Sequence, residues 1–346
     1  MNSAEDDDLQ VRHPRETQAL FGHAEAERTL LQSYQSGRTP HAWLIGGAAG
    51  IGKATLAYRI ARFVLAHPDP ARPEVQQAAT LAVTADNPVA RRIAVGAQGD
   101  LLVLRRSINP DNGKLYTVIR VEDVRRTVSF FGSTAGEGGW RVCIVDTADE
   151  LQYPQASNAL LKVLEEPPPR ALFLLVSHSP GRLLPTIRSR CRRLTLRSLE
   201  VEDVARAAAQ ATGRDEGDAE IREASTAAEG SVARALNFLD GSGLELRQKI
   251  VDALAQLPRP DPRALHALGD ALSGNEPRLL ASFMDVVNGW LSARLADGPQ
   301  DAQRMARLAQ AWEKINQAAR DVDTYNLERK PLVFAVFDTI ADAVPA

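Results

Sequence analysis

Gly46 to Thr55 reads GGAAGIGKAT, and the fold turns on how this stretch is read. It contains the pattern G-x-x-x-x-G-K, with Gly47, Gly52 and Lys53 at the fixed positions. A short apolar run, HAWLIG from His41 to Gly46, leads into it. From Lys53 to Leu65 the period changes, and Leu56, Ile60, Phe63 and Val64 fall on one helical face. Strand, glycine loop and helix in that order are the setting a phosphate-binding loop requires. Glycines admit the loop's backbone angles and a close approach of phosphate, and the amides at the helix N-terminus then face the negative charge. Lys53 would reach the β- and γ-phosphates. A glycine-rich turn that binds nothing stands beside this reading. It gains weight from the next position, where a hydroxyl should hold Mg²⁺ and the chain has Ala54. Thr55 follows, but one helical step turns its side chain by about 100°, so it is no simple substitute.

Outward from the loop, apolar runs alternate with helical patterns. Leu101–Leu104 (LLVL), Arg141–Val145 (RVCIV), Leu172–Val176 (LFLLV) and Arg193–Leu196 read as strands. Val121, Val124, Val128 and Phe131 share helical spacing, and so do Leu160, Leu161 and Leu164, whose helix is stopped by Pro167-Pro168-Pro169. Continuous apolar strands between helices predict a parallel sheet covered on both faces. Pro70 to Gly99 is Ala- and Pro-rich and reads as an insertion. From about Leu199 strand patterns cease. Phe283, Val286, Val287 and Leu291 form one helical stripe, and Met305, Leu308, Trp312 and Ile315 another. The expected organisation is a loose terminus over 1–18, a P-loop α/β domain over 19–198, a small helical lid over 199–243 and a helical domain over 244–346.

Two further places carry chemistry. Val142 to Glu150 reads VCIVDTADE. Asp146 lies at the tip of a buried strand, where folds of this kind hold the magnesium-bound water. Active hydrolases follow that acid with a glutamate base; Thr147 stands here and has no useful basicity at neutral pH. Asp149 and Glu150 read as acids capping the next helix. Ala171 to Leu199 holds six arginines and no acid, with Arg190 inside IRSRC (Ile187 to Cys191). Such a run is a solvated face, a set of ion-pair partners, or the source of an arginine that completes a neighbour's phosphoryl-transfer site. Spacing alone does not choose.

Composition narrows the setting. Of 346 residues, 44% are hydrophobic and 25% charged, with a formal net charge of -3, which fits a globular chain of two or three domains and no general phosphate-binding surface. The two cysteines, Cys143 and Cys191, exclude a four-cysteine zinc site within the chain and point to a reducing compartment. No apolar stretch approaches about 18 residues, and MNSAEDDDLQVRHPRE is too acidic for a signal peptide. A cytoplasmic protein with no membrane partner is expected.

Taken together, PHAWLIGGAAGIGKATLAYRIARF, VDTADELQYPQASNALLKVLEEPPP and FLLVSHSPGRLLPTIRSRC resemble the clamp-loader branch of the AAA+ family. The likeness is strong over about Leu20 to Arg197, moderate through the small helical unit, and weak in the last hundred residues, where it rests on NLERKPLVFAVF. The resemblance implies phosphate-loop positions at Gly47, Gly50, Gly52 and Lys53, with Thr55 and Asp146 completing a degenerate nucleotide site. It implies that Arg190, between Ser189 and Cys191, acts in trans on the ATP site of an adjacent motor subunit. The implied partners are the other clamp-loader subunits, the motor gamma/tau and the delta subunit, and through them the sliding clamp and primed DNA. The C-terminal helices would form the ring's collar. Departures from the pattern imply no hydrolysis and no required cofactor: Ala54, Thr147, and Ala233 where a motor subunit carries arginine, with Arg234 one step late. ATP binding, if retained, would be weak or non-hydrolytic. Relatives often carry a cysteine-rich zinc module after the first helix; Pro70 to Gly99 has no cysteine, so no zinc is expected. A hydrolysing motor subunit of the same family and a stand-alone P-loop ATPase are the alternatives. The first needs a hydroxyl at position 54 and a glutamate at 147; the second needs its own magnesium ligand and substrate domain.

Overall fold

The computed structural model describes residues 13–111, 113–132, 139–240, 243–273, 277–296, 302–325 and 327–344. The elements run α1 (Ala24–Gln35), β1 (Ala42–Gly46), α2 (Lys53–Ala66), α3 (Pro73–Gln76), α4 (Pro88–Ala94), β2 (Leu101–Leu104), α5 (Val121–Gly132), β3 (Arg141–Val145), α6 (Gln155–Glu165), β4 (Ala171–Ser177), α7 (Pro185–Arg190) and β5 (Arg192–Thr195). Helices alone follow: α8 (Val201–Thr212), α9 (Ala219–Ala227), α10 (Val232–Leu239), α11 (Gly243–Ala255), α12 (Pro262–Leu272), α13 (Pro277–Ala296), α14 (Ala302–Tyr325) and α15 (Arg329–Ala343).

The five strands form one sheet in the order β2-β3-β4-β1-β5, and every pairing is parallel. The three inner strands are buried along their whole length, which is why they read as unbroken apolar runs. Their side chains alternate between two cores. Trp43, Ile45, Ile144, Leu172 and Leu174 face α1, α2 and α4. Leu44, Cys143, Val145, Phe173 and Leu175 face α5, α6 and α7. This is the α/β architecture that the strand-helix alternation predicts.

The chain divides into two compact units, one ending at Ala233 and the other beginning at Arg234. Helices α8 and α9 therefore fall in the first unit with the sheet. The second unit has its own core, in which Leu254, Leu268, Phe283, Val287, Leu308, Val333 and Phe337 are buried together. Asn288 and Asn316 exchange amide hydrogen bonds of 3.2 and 3.0 Å between α13 and α14.

Two helical stripes sit differently from their expected phase. On α5 the inner face is Val124, Thr127 and Phe131, while Val128 is 65% exposed. Thr127 can go inside because its hydroxyl donates to Val124 O at 2.6 Å, which removes the cost of burying it. On α14 the core takes Leu308, Ala311 and Ile315, and Trp312 lies 36% exposed.

The insertion over 70–99 is fastened to α1. The Glu27 carboxylate accepts from Arg59 Nε at 2.5 Å and from Leu81 N–H at 2.8 Å. Gln35 donates to Val75 O and Ala78 O. Of the segment expected to be loose, residues 1–12 lie outside the described residues. From His13 on it is tied down: Arg62, almost fully buried, donates to Arg15 O, and Arg59 to Gln18 O. Among the described residues, no helix is long and apolar enough to cross a membrane. Removing one partner of a buried ion pair leaves a charge without compensation. Glu27→Ala should therefore lower stability by about 3 kcal/mol in urea unfolding and speed amide exchange at Leu81. Unchanged exchange there would mean that Glu27 does not anchor the insertion.

Candidate functional site

Parallel order places the C-terminal ends of β1, β4 and β3 side by side, the edge where open α/β sheets assemble sites. The loop after β1 runs from Gly47 to Gly52 and opens α2 at Lys53. Gly52 caps that helix with φ of +94°, and Gly50 turns with φ of +74°, angles that side chains resist. The sequence-predicted positions Gly47, Gly50, Gly52 and Lys53 thus form one turn, with Asp146 following β3 near the Lys53 ammonium.

The five consecutive loop carbonyls from Gly47 to Ile51 all accept from this chain. Lys53 Nζ donates to Gly47 O at 2.8 Å and to Ala48 O. Ser231 Oγ donates to Ala49 O at 3.0 Å, and Ala233 N–H to Gly50 O at 3.3 Å. His23 Nε2 reaches Ile51 O at 2.6 Å, which requires the tautomer protonated at Nε2. Burial keeps His23 neutral by pushing its pKa down. The start of α10 sits directly on Gly50: a Cβ there would collide with Ser231 Oγ and come within 2.6 Å of Ala233 Cβ. Lys53 is only 3% exposed. Desolvation brings its pKa down to about 8, and Asp146 and Asp149 pull it back up only in part.

For a magnesium nucleotide these residues fit in one respect and not in others. Lys53 and the glycines suit a phosphate chain. Position 54 offers only the methyl of Ala54, and Thr147 is buried with its hydroxyl lacking a hydrogen-bond partner. Thr55 is half-buried on the next step of α2. Among the described residues, no group of three or more His, Cys, Asp or Glu is placed to hold a metal ion.

Asp149 corrects the expectation of a capping acid. It lies in the short 3-10 turn Ala148–Glu150, and its carboxylate accepts from Ser177 Oγ at 2.8 Å, His178 N–H at 2.5 Å and Ser179 N–H at 3.1 Å. It locks the end of β4 to the end of β3. Glu150 pairs with Arg106 at 3.4 Å rather than capping α6.

Arg190 ends α7, immediately before the outermost strand β5. Its guanidinium donates to Thr186 O at 3.0 Å and pairs with Glu165 at 2.7 Å. Glu165 is the last residue of α6, just before the three prolines. Arg192, by contrast, stacks over Trp43 at 4.9 Å, and Arg193 points to solvent. Arg234 lies 3.7 Å from Asp285 within the second unit. Sequence reasoning missed His23, Ser231 and Glu165. Ser231 lies two places before Ala233, the position already singled out, so it was within reach; nothing in the sequence marked the other two.

The family described as "DNA polymerase III, delta subunit" matches residues 22–200. The DNA polymerase III subunit delta' of Pseudomonas aeruginosa is 38% identical over 151 residues, 44% of this chain and 41% of that protein. Its Escherichia coli counterpart is 35% identical over 163 residues, 47% and 44%. The DNA polymerase III subunit tau of Escherichia coli is 28% identical over 270 residues, 76% and 39%. The chain thus spans about two fifths of the length of each of these relatives.

A lysine lowered from 10.5 to about 8 leaves the unfolded chain with the extra proton between those values. Stability from this group should therefore rise with pH across that window. Nitrogen-detected titration of Lys53 Nζ should show a midpoint near 8, and Lys53→Met should abolish the rise in urea midpoint. A midpoint near 10.5 would place the ammonium in water.

Proposed function

This chain belongs to the DNA polymerase III delta-subunit family, and from that premise we propose that it is the delta-prime-type subunit of a clamp loader, a P-loop protein that hydrolyses no ATP itself. Its work is to support ATP-dependent loading of a sliding clamp onto primed DNA. It stands beside motor subunits of the gamma/tau kind and a delta subunit, and lends Arg190 to the ATP site of a neighbouring motor. The sheet domain, the small lid of 199–243 and the helices of 244–346 act as three parts, the last as the oligomerising collar.

The observation that carries the non-hydrolysing reading is the closure of the phosphate loop on its own chain. Nucleotide phosphates, which accept hydrogen bonds, would have to draw the Lys53 ammonium off the carbonyls of Gly47 and Ala48 and enter beside Ser231 and Ala233, which pack against Gly50. A triphosphate that entered would find no hydroxyl at Ala54 for its metal and no base at Thr147 for its water. Nucleotide is thus neither required nor turned over, and zinc has no part: the cysteine-free insertion is held by Glu27 and Gln35 instead.

Arg190 has the right chemistry for a finger in trans. A guanidinium spreads charge over transferring phosphoryl oxygens through a planar fork. It is half-exposed, lies beside the sheet edge, and is held by an exposed glutamate. Exposed ion pairs are worth about 0–1 kcal/mol, so Glu165 can give up the guanidinium at little cost when a neighbour docks.

The test compares clamp- and DNA-stimulated ATP hydrolysis by complexes reconstituted with wild type, Arg190→Ala, Arg190→Lys and Arg193→Ala. A finger is worth about 10³ to 10⁵ in rate at its own site; the steady-state loss is smaller because other sites keep turning over. Arg190→Ala should assemble normally yet slow the complex, lysine should rescue poorly, and Arg193→Ala should match wild type. Wild-type rates in an assembled Arg190→Ala complex would make this arginine merely structural.

A further inference from the structure

Ala171 to Leu199 supplies six arginines and no carboxylate. Among the described residues, one of the six is in an ion pair, and it is Arg190. The carboxylate comes from another element. Glu165 ends α6, which packs against α7, and its Oε1 lies 2.7 Å from Arg190 Nη2. Arg190 Nη1 donates to Thr186 O at 3.0 Å, and Ser189 Oγ donates to the same carbonyl at 3.0 Å. Thr186 is one turn back along α7, so the arginine is folded onto its own helix. Both terminal nitrogens of the guanidinium are thus engaged on this chain. They are also the nitrogens with which a guanidinium grips phosphoryl oxygens. A carboxylate and a phosphate are both oxygen anions, so Glu165 and a neighbour's nucleotide compete for one fork.

If Arg190 serves a neighbour's ATP site, its own chain must first release it. On that reading we propose that Glu165 is a positioning residue: it parks the guanidinium on this chain and restrains ATP hydrolysis by the complex until a neighbour's phosphates displace it. The pair is open to water, with the arginine side chain 33% and the glutamate 42% exposed. Exposed pairs are weak, and one of this kind biases the arginine toward its own chain by up to about fivefold. Such a bias acts only while the parked state is populated. Once clamp and DNA drive the finger onto the nucleotide, removing the competitor adds little. Arg190 and Glu165 therefore act with opposite sign. Loss of the arginine slows the complex, and loss of the carboxylate speeds it at rest.

The test measures ATP hydrolysis, without and with clamp and primed DNA, by complexes carrying wild type, Glu165→Gln, Glu166→Gln, Arg190→Ala or Glu165→Gln/Arg190→Ala. Glutamine keeps the shape of Glu165 and removes its charge. Glu166, the exposed next residue, controls for charge alone. Glu165→Gln should raise the unstimulated rate by up to about fivefold and leave the stimulated rate unchanged. Glu166→Gln should match wild type, and the double variant should hydrolyse at the Arg190→Ala rate. A merely structural role for Glu165 would instead lower both rates and persist in the double variant, which overturns the proposal. Wild-type rates in Arg190→Ala would remove the finger and its parking together. A slowed Arg190→Ala complex beside an unchanged or slowed Glu165→Gln complex would leave the finger standing and overturn the parking alone. Should Glu165→Gln fail to assemble, the free chain decides by nitrogen NMR. Rotation of the Arg190 guanidinium should be slow in wild type and fast in Glu165→Gln, and equal rotation in the two would overturn the proposal.

Discussion

A missing side chain at position 50 sets the geometry around it. With φ at +74° and no Cβ, Gly50 lets the first turn of α10 rest on the loop, so that Ser231 and Ala233 satisfy the carbonyls of Ala49 and Gly50. The neighbouring carbonyls of Gly47 and Ala48 hold the Lys53 ammonium, and that of Ile51 holds His23. A buried ammonium is costly unless its protons are shared, and the loop is what shares them. The same loop ends the inner strand β1 and opens α2, so the sheet, that helix and the start of α10 are tied through one turn.

At the other end of the chemistry stands Arg190. It is held by the end of α6 through Glu165 and by its own helix through Thr186. The contrast with Lys53 is instructive. Lys53 is buried and bonded to backbone, a state that is hard to leave. Arg190 is half-exposed and paired with a surface carboxylate, a state that is easy to leave. A phosphate loop in contact with its own chain and a guanidinium in a weak exposed pair are the two features on which the proposed action on a neighbour's nucleotide rests.

Much of the fold was legible because burial leaves a plain record. The inner strands are apolar without interruption, the loop carries its glycines, and α6 is cut by three prolines. What was misread came from polar groups that change partners in three dimensions. Thr127 took the inward place of Val128 by bonding its own helix. Asp149, placed three residues after Asp146, looked like a capping acid because its partners, Ser177 to Ser179, lie a whole strand away in sequence. The loop residues of the site could be placed by spacing. The loop's closure could not, since Ser231 meets Ala49 across 182 positions and no local pattern records that contact.

The central claim, a phosphate loop closed on its own chain, is tested most directly by calorimetric titration of the isolated protein with Mg-ATP and with ATP alone, using wild type and Lys53→Ala. Closure by Lys53, Ser231 and Ala233, with Ala54 in place of a magnesium ligand, predicts no saturable heat in either protein at millimolar nucleotide. Saturable binding at micromolar concentration that disappears in Lys53→Ala would show that the loop opens to phosphate, and would contradict it.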